Sequence, residues 1–117
     1  MNEREFKERT KRLALEVIKL VETLPRNRTA DVVGKQLLRA ATSVGANYRA
    51  ACRGKSSADV IAKLSIVEEE VDEAMYWMEL LEETTLASRT QVARLIAEAN
   101  EILAMTVASI KTLRRRP

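Results

Sequence analysis

The chain has 117 residues, of which 46% are hydrophobic and 32% charged, and its formal net charge is +3. This length suffices for one domain that buries roughly 65% of the surface of its unfolded form, and it is too short for two ordinary domains. Without histidine, the commonest general base and metal ligand are missing, which disfavours hydrolase and metalloenzyme functions. One cysteine excludes an intramolecular disulfide, and because no segment resembles a signal peptide or a membrane span, we expect a cytoplasmic protein that contacts no membrane.

The first half of the chain predicts two long helices. Apolar residues at helical spacing stop before Pro25, which cannot continue a helix, so the first helix is predicted over 2–24. A second apolar seam follows Thr29, a candidate N-cap, and runs to Gly54, a residue typical of the position after a helix end. The second helix is therefore predicted over 30–53.

The second half predicts two more helices. Ser56 and Ser88 are each followed three residues later by an acidic or amide side chain, the capping-box pattern, before an apolar seam. These signals predict helices over 58–83 and 90–114. Connections of a few residues force neighbouring helices to run antiparallel. We therefore expect an all-α protein, a single antiparallel up-down-up-down four-helix bundle over residues 1–117.

The second helix carries three distinct faces, of which two are uncharged. Asn47 occupies a position of the apolar seam, so its amide is expected to be buried and to fix register or assembly, with a ligand contact as the alternative. Next to the seam, Gly34, Gly45 and Cys52 form a line of small residues, where another backbone is expected to come close. On this line, Cys52 is interpreted as a small buried hydrophobe and not as a reactive thiol.

The third face is basic. Its cations lie nearly opposite the seam and are spread over about 27 Å. Further cations follow the helix and close the chain. The predicted contacts to nucleic-acid backbone are Lys35, Arg39, Arg49, Arg53, Lys55, Arg114, Arg115 and Arg116. Two other interpretations stay open, namely a solvated charged face and, for the terminal arginines, a favourable interaction with the helix macrodipole.

The charges are unevenly distributed along the chain. Lysine and arginine outnumber aspartate and glutamate by 13 to 6 in residues 1–55 and by 6 to 2 in residues 84–117, whereas residues 56–83 hold 1 against 9. Part of this asymmetry is expected to be neutralised by pairing within the chain or between subunits. Aromatic residues make up only 3%, so base stacking and sequence-specific recognition are not indicated.

An acidic run in the third helix raises one enzymatic alternative. Glu69, Glu70 and Glu73 form an E-E-x-x-E pattern like that of all-α nucleotide pyrophosphohydrolases, which bind Mg²⁺. Those enzymes continue with E-x-x-D on the next helix, whereas this chain offers Glu98 and Glu101. We therefore expect a solvated or salt-bridged face, with no catalytic residue, no metal and no cofactor.

Two aromatic residues follow the acidic run. Trp77 shares a helical line with Glu70 and Glu73 and lies off the main seam, next to Tyr76. A tryptophan in such a position packs on the core or lies in a subunit contact, and both interpretations stay open.

Two segments resemble a known family. "QLLRAATSVGANYRAACRGKS" (36–56) and "IAKLSIVEEEVDEAMYWMELL" (61–81) are similar to four-helix-bundle proteins encoded in intervening sequences of bacterial 23S rRNA genes. The matching residues are Gln36, Leu37, Arg39, Ala40, Ser43, Asn47, Arg53, Lys63, Leu64, Glu70, Glu73, Tyr76, Trp77 and Leu81. Many members carry a glutamate where this chain has Ala50, so any role of that glutamate does not carry over.

This resemblance implies a left-handed antiparallel bundle, a homopentameric ring and an association with rRNA intervening sequences, and it implies no catalytic residues. A more distant resemblance connects the chain to accessory proteins of diversity-generating retroelements, which are basic pentameric bundles that bind nucleic acid and a reverse transcriptase. We expect a non-catalytic homo-oligomer that binds RNA or DNA backbone. The alternative is a scaffold, or a reverse-transcriptase accessory protein, that binds protein partners without reading nucleic acid.

Overall fold

The computed structural model describes residues 2–116, which form four α-helices and no strand. The helices are α1 (Glu3–Glu22), α2 (Arg28–Ala51), α3 (Ser57–Glu83) and α4 (Arg89–Arg114). They form a bundle of 51 × 21 × 20 Å. The prediction of an all-α protein with four long helices is confirmed.

Asparagine side chains begin the first two helices. The Asn2 side chain accepts a hydrogen bond from the backbone N–H of Glu5 at 2.8 Å, and Asn27 accepts one from Ala30 at 2.8 Å. The prediction that Thr29 caps the second helix is therefore wrong, and α2 begins two residues earlier. Asparagine is at least as good an N-cap as threonine, and the extended backbone of Asn27 presents its side chain to the first turn.

Serine side chains begin α3 and α4, as the capping-box pattern predicts. Ser56 Oγ accepts from the N–H of Asp59 at 3.1 Å, and Ser88 Oγ accepts from Gln91 at 3.4 Å. The Asp59 carboxylate accepts from the N–H of Lys55, which satisfies a further backbone donor at this turn. Both helices begin one residue before the predicted position.

Gly54 closes the turn between α2 and α3. The helix ends at Ala51, whose carbonyl accepts from the Gly54 N–H at 3.0 Å. A Cβ atom on Gly54 would collide with the side chain of Val60, so glycine is required here by a close approach and not by a left-handed backbone.

Contacts between the helices establish their directions. Thr10 of α1 lies beside Gly45 of α2, where an added Cβ would stand 3.3 Å from the threonine hydroxyl. Arg39 of α2 reaches the middle of α3, and Arg9 of α1 reaches Glu98 of α4. Each helix packs against the two neighbours that an up-down-up-down order gives it, α1 and α3 both contacting α2 and α4. Close backbone approaches are fewest between α1 and α4.

The core is built from the predicted seams. Its largest fully buried apolar side chains are Leu13, Leu20, Leu37, Met78, Leu81, Ile102, Val17, Val44, Val67, Val71 and Val92. Two threonines share this interior, and each satisfies its hydroxyl within its own helix: Thr10 donates to the Phe6 carbonyl at 3.0 Å and Thr106 to that of Ile102 at 2.7 Å.

Two expectations about α2 need correction. Asn47 is only half-buried, and its amide donates to the Ser43 carbonyl at 2.9 Å, so its N–H is satisfied within its own helix. Cys52 is also half-buried, since it is the C-cap of α2 and borders a cavity at the end of the bundle.

None of the helices within residues 2–116 is long and apolar enough to cross a membrane.

Candidate nucleic-acid interface

Antiparallel packing collects positive charge at one end of the bundle. The start of α1, the end of α2, the start of α3 and the end of α4 meet there, and Glu3, Cys52, Val60 and Arg116 border one cavity. Residues 3–8, 49–63 and 108–116 carry ten lysines and arginines against four aspartates and glutamates. We call this region the basic end; its cations are Arg4, Lys7, Arg49, Arg53, Lys55, Lys63, Lys111, Arg114, Arg115 and Arg116.

The opposite end of the bundle has no such excess. Residues 17–36 and 76–98 hold six cationic and six acidic side chains. The net charge of +3 therefore conceals a polarised molecule whose positive field is concentrated at one end.

Six of the eight predicted nucleic-acid contacts lie at the basic end, and the remaining two do not. The six are Arg49, Arg53, Lys55, Arg114, Arg115 and Arg116. All six are exposed, and within residues 2–116 none of them forms a salt bridge. Lys35 is exposed near the other end, beside the turn between α1 and α2.

Arg39 is bound by the acidic face of α3. Its guanidinium donates to Glu70 at 3.0 Å and to Glu73, and the indole N–H of Trp77 also donates to Glu73, at 3.0 Å. These donors, Trp77 first and Arg39 second, lower the pKa of Glu73 below its ordinary value. The predicted basic row of α2 is therefore divided, because Arg39 pairs with Glu70 and Glu73 while Arg49 and Arg53, farther along the helix, form no salt bridge within residues 2–116.

Five of the side chains that carry the family resemblance belong to one hydrogen-bonded row on α2 and α3. On α2, Ser43 donates to the Arg39 carbonyl at 2.8 Å, and Asn47 continues this row with its bond to Ser43. Glu70 and Glu73 face the row from α3. We call these five side chains the α2–α3 polar row. Its hydrogen bonds are directed within the chain, which indicates a structural role.

The carboxylates of the E-E-x-x-E pattern do not form a metal centre. Glu70 and Glu73 are held by Arg39, and Glu69 is exposed. Over residues 2–116, no three carboxylate or thiol groups are placed together so that they could hold a metal ion.

A groove between α1 and α2 extends the basic end along the bundle. It has a volume of about 420 Å³, and small residues including Gly45 and Ala46 form part of its lining. Its cations are Arg4, Lys7, Lys11 and Arg49. Lys7 pairs with Glu3 at 3.4 Å and Arg4 with Glu8 at 4.0 Å, but exposed pairs of this kind contribute only about 0–1 kcal/mol and exchange readily for phosphate.

Four cations of the basic end were not among the predicted site residues: Arg4, Lys7, Lys63 and Lys111. The first three belong to segments without a local excess of positive charge like that of the chain end, and only the antiparallel order brings them to the end that carries Arg49 and Arg53. The signal that could have found them was the predicted topology itself, applied to the charges at each helix end.

Exposed large apolar side chains lie on α1 and α3, and Val32 of α2 is 56% exposed as well. Leu15 and Ile18 of α1 are 48% and 40% exposed, and Ile66 and Tyr76 of α3 are 39% and 54% exposed. Trp77 stands edge-on to Tyr76 with ring centroids 5.1 Å apart, and its other side packs against the core. Since Trp77 is half-buried, it contributes to the core without excluding a subunit contact.

Comparisons with known proteins agree with this architecture. The crystal structure, at 1.70 Å resolution, of a protein of unknown function from the S23 ribosomal protein family of Bacteroides thetaiotaomicron VPI-5482 superimposes with a TM-score of 0.87. The two chains are 34% identical, and the match covers 95% of this chain and 99% of that one. No curated protein matches the chain. The family model for the 23S rRNA-intervening sequence protein matches residues 2–108. With so much of its length matched, the chain belongs to the 23S rRNA-intervening sequence protein family.

Proposed function

We propose that this protein is a non-catalytic, homo-oligomeric four-helix bundle that binds the backbone of RNA or DNA through its basic end. The observation that carries the proposal is the concentration of ten cations against four carboxylates where the four helix ends meet. Lysine and arginine bind phosphates by neutralising charge and releasing counterions, with little dependence on sequence.

The state of these cations supports phosphate binding over internal pairing. Arg53, Lys55 and the arginines 114–116 are exposed, and no salt bridge within residues 2–116 engages them. Arg39, in contrast, is already neutralised, and Lys35 lies near the other end. Neither of these two residues is part of the proposed interface.

A non-catalytic role is supported by how the carboxylates are used. Glu70 and Glu73 are the strongest enzymatic candidates, and both accept hydrogen bonds from Arg39. A carboxylate held by a guanidinium is a poor general base, because the pairing favours its charged form. The single cysteine, half-buried and unpaired, is compatible with the reducing cytoplasm in which we place the protein.

Homo-oligomerisation is supported by the exposed apolar side chains of α1 and α3. Leu15 and Ile18 on α1, and Ile66 and Tyr76 on α3, lie on helices that do not pack against each other. Two different surfaces on one chain suit a head-to-tail contact, which closes into a ring when the rotation permits. The pentamer implied by the family resemblance is such a ring. It would repeat the basic end and raise the affinity for a long polyanion through multivalency.

The proposal is tested by gel shift with a structured RNA over a salt series from low to physiological concentration. We expect binding at low salt that weakens linearly with log salt. Replacing Arg114, Arg115 and Arg116 by glutamine should weaken binding at every salt concentration and reduce the log–log salt slope by about 2 to 3. A matched variant that replaces Arg26, Arg28 and Arg94, at the opposite end, should behave like the unmodified protein. If no RNA or DNA is bound at low salt, the nucleic-acid function is wrong.

The second candidate is a scaffold that binds only protein partners, and the exposed Ile66 and Tyr76 favour it. Static light scattering separates the assembly question from the binding question. A multimer that binds no nucleic acid at low salt would establish the scaffold. If both triple-arginine variants lose binding equally, the total positive charge of the protein, and not its position at the basic end, causes the binding.

A further inference from the structure

The basic end contains a cavity that charge alone does not explain. It has a volume of about 590 Å³, within the range of about 300–1,000 Å³ that is typical of small-molecule pockets. The cavity lies where all four helices end, between the last turns of α2 and α4 and the first turns of α1 and α3. A surface that bound only phosphates would not need such a pocket.

The walls of this cavity combine an apolar surface with a few hydroxyl groups. Val60, Leu64 and Leu113 provide the apolar part, Tyr48, Ser109 and Thr112 provide the hydroxyls, and Glu3 of α1 adds one carboxylate. Tyr48 is held in place by its ring, which stacks on Phe6 with centroids 4.2 Å apart and an angle of 17° between the planes. The Tyr48 hydroxyl is protonated at neutral pH and can donate a hydrogen bond, and burial raises its pKa further above the ordinary value.

The occupant is indicated by the cavity together with its rim. Arg116 borders the cavity, and the other cations of the basic end lie on the helix ends and the turn that meet there. A ligand that matches this lining has an apolar body, a polar edge and a phosphate attached to it. An unpaired nucleobase with its backbone phosphate has these features, whereas a base inside a duplex exposes neither face.

We propose that the cavity lined by Tyr48, Leu64 and Thr112 receives one unpaired nucleobase of the bound nucleic acid, while Arg116 binds the adjoining phosphate. This inference rests on the proposed nucleic-acid function and specifies its substrate class: strands with an unpaired end or bulge are preferred over a continuous duplex. The low aromatic content predicted no base recognition, but the fold assembles this pocket from apolar residues of three helices, α2, α3 and α4.

The test compares three ligands that share one stem: a blunt hairpin, the same hairpin with a short single-stranded 3′ overhang, and the same overhang made of abasic nucleotides. We expect the normal overhang to bind about tenfold more tightly than the abasic overhang, which has equal charge but no base to bury. Equal affinity for the two overhangs would overturn the inference. It would leave the proposed function intact, since that function fails only if none of the three ligands binds at low salt.

Two alanines on α4 provide a matched pair of variants. Ala108 borders the cavity and Ala104 does not, and both are exposed, so tryptophan at either position leaves the core untouched. Ala108→Trp should abolish the preference for the normal overhang, and Ala104→Trp should retain it. A preference that survives in Ala108→Trp would place the base elsewhere and contradict the assignment.

Cys52 supplies a readout that is independent of affinity. It is the one cysteine of the chain and borders the cavity, so alkylation by iodoacetamide reports occupancy at this site. The normal overhang should slow alkylation at least about fivefold at saturation, because the modified fraction follows the free fraction of the pocket. The abasic overhang should not slow it. Equal protection by the two overhangs at saturation would contradict base entry.

Discussion

Arg9 of α1 and Glu98 of α4 form a bidentate ion pair across the seam where the bundle is packed least closely. Arg9 Nε donates to one carboxylate oxygen at 2.9 Å and Arg9 Nη2 to the other at 2.6 Å. Glu101 accepts a third bond from Arg9 Nη2 at 3.1 Å. These carboxylates, with Glu98 contributing most, raise the pKa of Arg9. Two parallel bonds fix both position and angle, so this pair sets the register of α1 on α4.

Replacing Arg9 by methionine should lower the free energy of unfolding by about 1–2 kcal/mol, since the pair is bidentate and only partly exposed. Urea unfolding followed by Trp77 fluorescence measures the loss. Arg12→Met is the matched control, because Arg12 lies exposed beside the same seam and no ion pair within residues 2–116 includes it. Equal stability of the two variants would show that the ion pair contributes nothing measurable.

Glu73 predicts a specific dependence of stability on pH. Its pKa is lower in the folded chain than in the unfolded chain, because the Trp77 indole and the Arg39 guanidinium favour its charged form. The stabilisation it provides is therefore fully present above the unfolded pKa, about 4.3, and is lost as the pH falls through the folded pKa.

Glu73→Gln should consequently be less stable than the unmodified protein at neutral pH, and the difference should shrink as the pH falls below about 4. Glu69→Gln serves as the control, since Glu69 is exposed and forms no side-chain hydrogen bond among the described residues. Urea denaturation at pH 7, 5, 4 and 3 gives the comparison. A difference for Glu73→Gln that stays constant with pH would mean that the residue acts through packing and not through its charge.

Periodicity and caps were sufficient to predict the fold, because each helix buries one apolar stripe and the turns are short. The ends of α2 were less predictable, since Asn27 and Thr29 are both competent caps and only the path of the turn decides between them. The composition of the basic end was predicted in part. Arg49 and Arg53 face solvent as expected, whereas the Arg39 guanidinium pairs with a carboxylate of α3. A helical projection of α2 alone cannot show this partner, because it lies on another helix. The cavity beside Tyr48 could not be predicted, because it is a gap between four helix ends.

Thr85 offers a test of stored backbone strain. It follows the C-cap of α3 with φ of 57°, a left-handed conformation that a β-branched residue rarely adopts. The surrounding hydrogen bonds are those of a Schellman motif: Thr85 N–H donates to the Glu82 carbonyl at 3.1 Å, and Leu86 N–H donates to that of Leu81 at 3.0 Å. Glycine is the preferred residue at this position.

Thr85→Gly should therefore raise the free energy of unfolding by about 1 kcal/mol, as relief of left-handed strain exceeds the added entropy of the unfolded chain. Thermal and urea denaturation both measure the gain. Thr84→Gly is the control, because Thr84 has φ of −88° and donates its hydroxyl to the Leu80 carbonyl at 2.6 Å, so glycine there should destabilise. Stabilisation by Thr84→Gly, or destabilisation by Thr85→Gly, would contradict the assignment of strain to residue 85.

The proposed head-to-tail assembly makes a prediction that an isologous contact does not share. If the α1 surface at Leu15 binds the α3 surface at Tyr76 of the next copy, then Leu15→Lys and Tyr76→Lys should each yield monomers. Each variant retains one intact surface, and the two intact surfaces are complementary. Mixing the variants in equal amounts should therefore give a heterodimer of twice the monomer mass, which cannot grow because its outer surfaces are both blocked.

Light scattering coupled to gel filtration measures these masses, and Ala97→Lys, at an exposed position of α4, controls for the added charge. The Trp77 emission maximum of the unmodified protein should shift to longer wavelength on dilution, because water reaches the indole when the contact dissociates. If both lysine variants keep the mass of the unmodified protein, neither surface forms the contact. If each variant forms a dimer, each surface pairs with its own copy in the partner. If each variant and also their mixture are monomeric, the two intact surfaces do not bind each other. Either result excludes a ring of head-to-tail subunits.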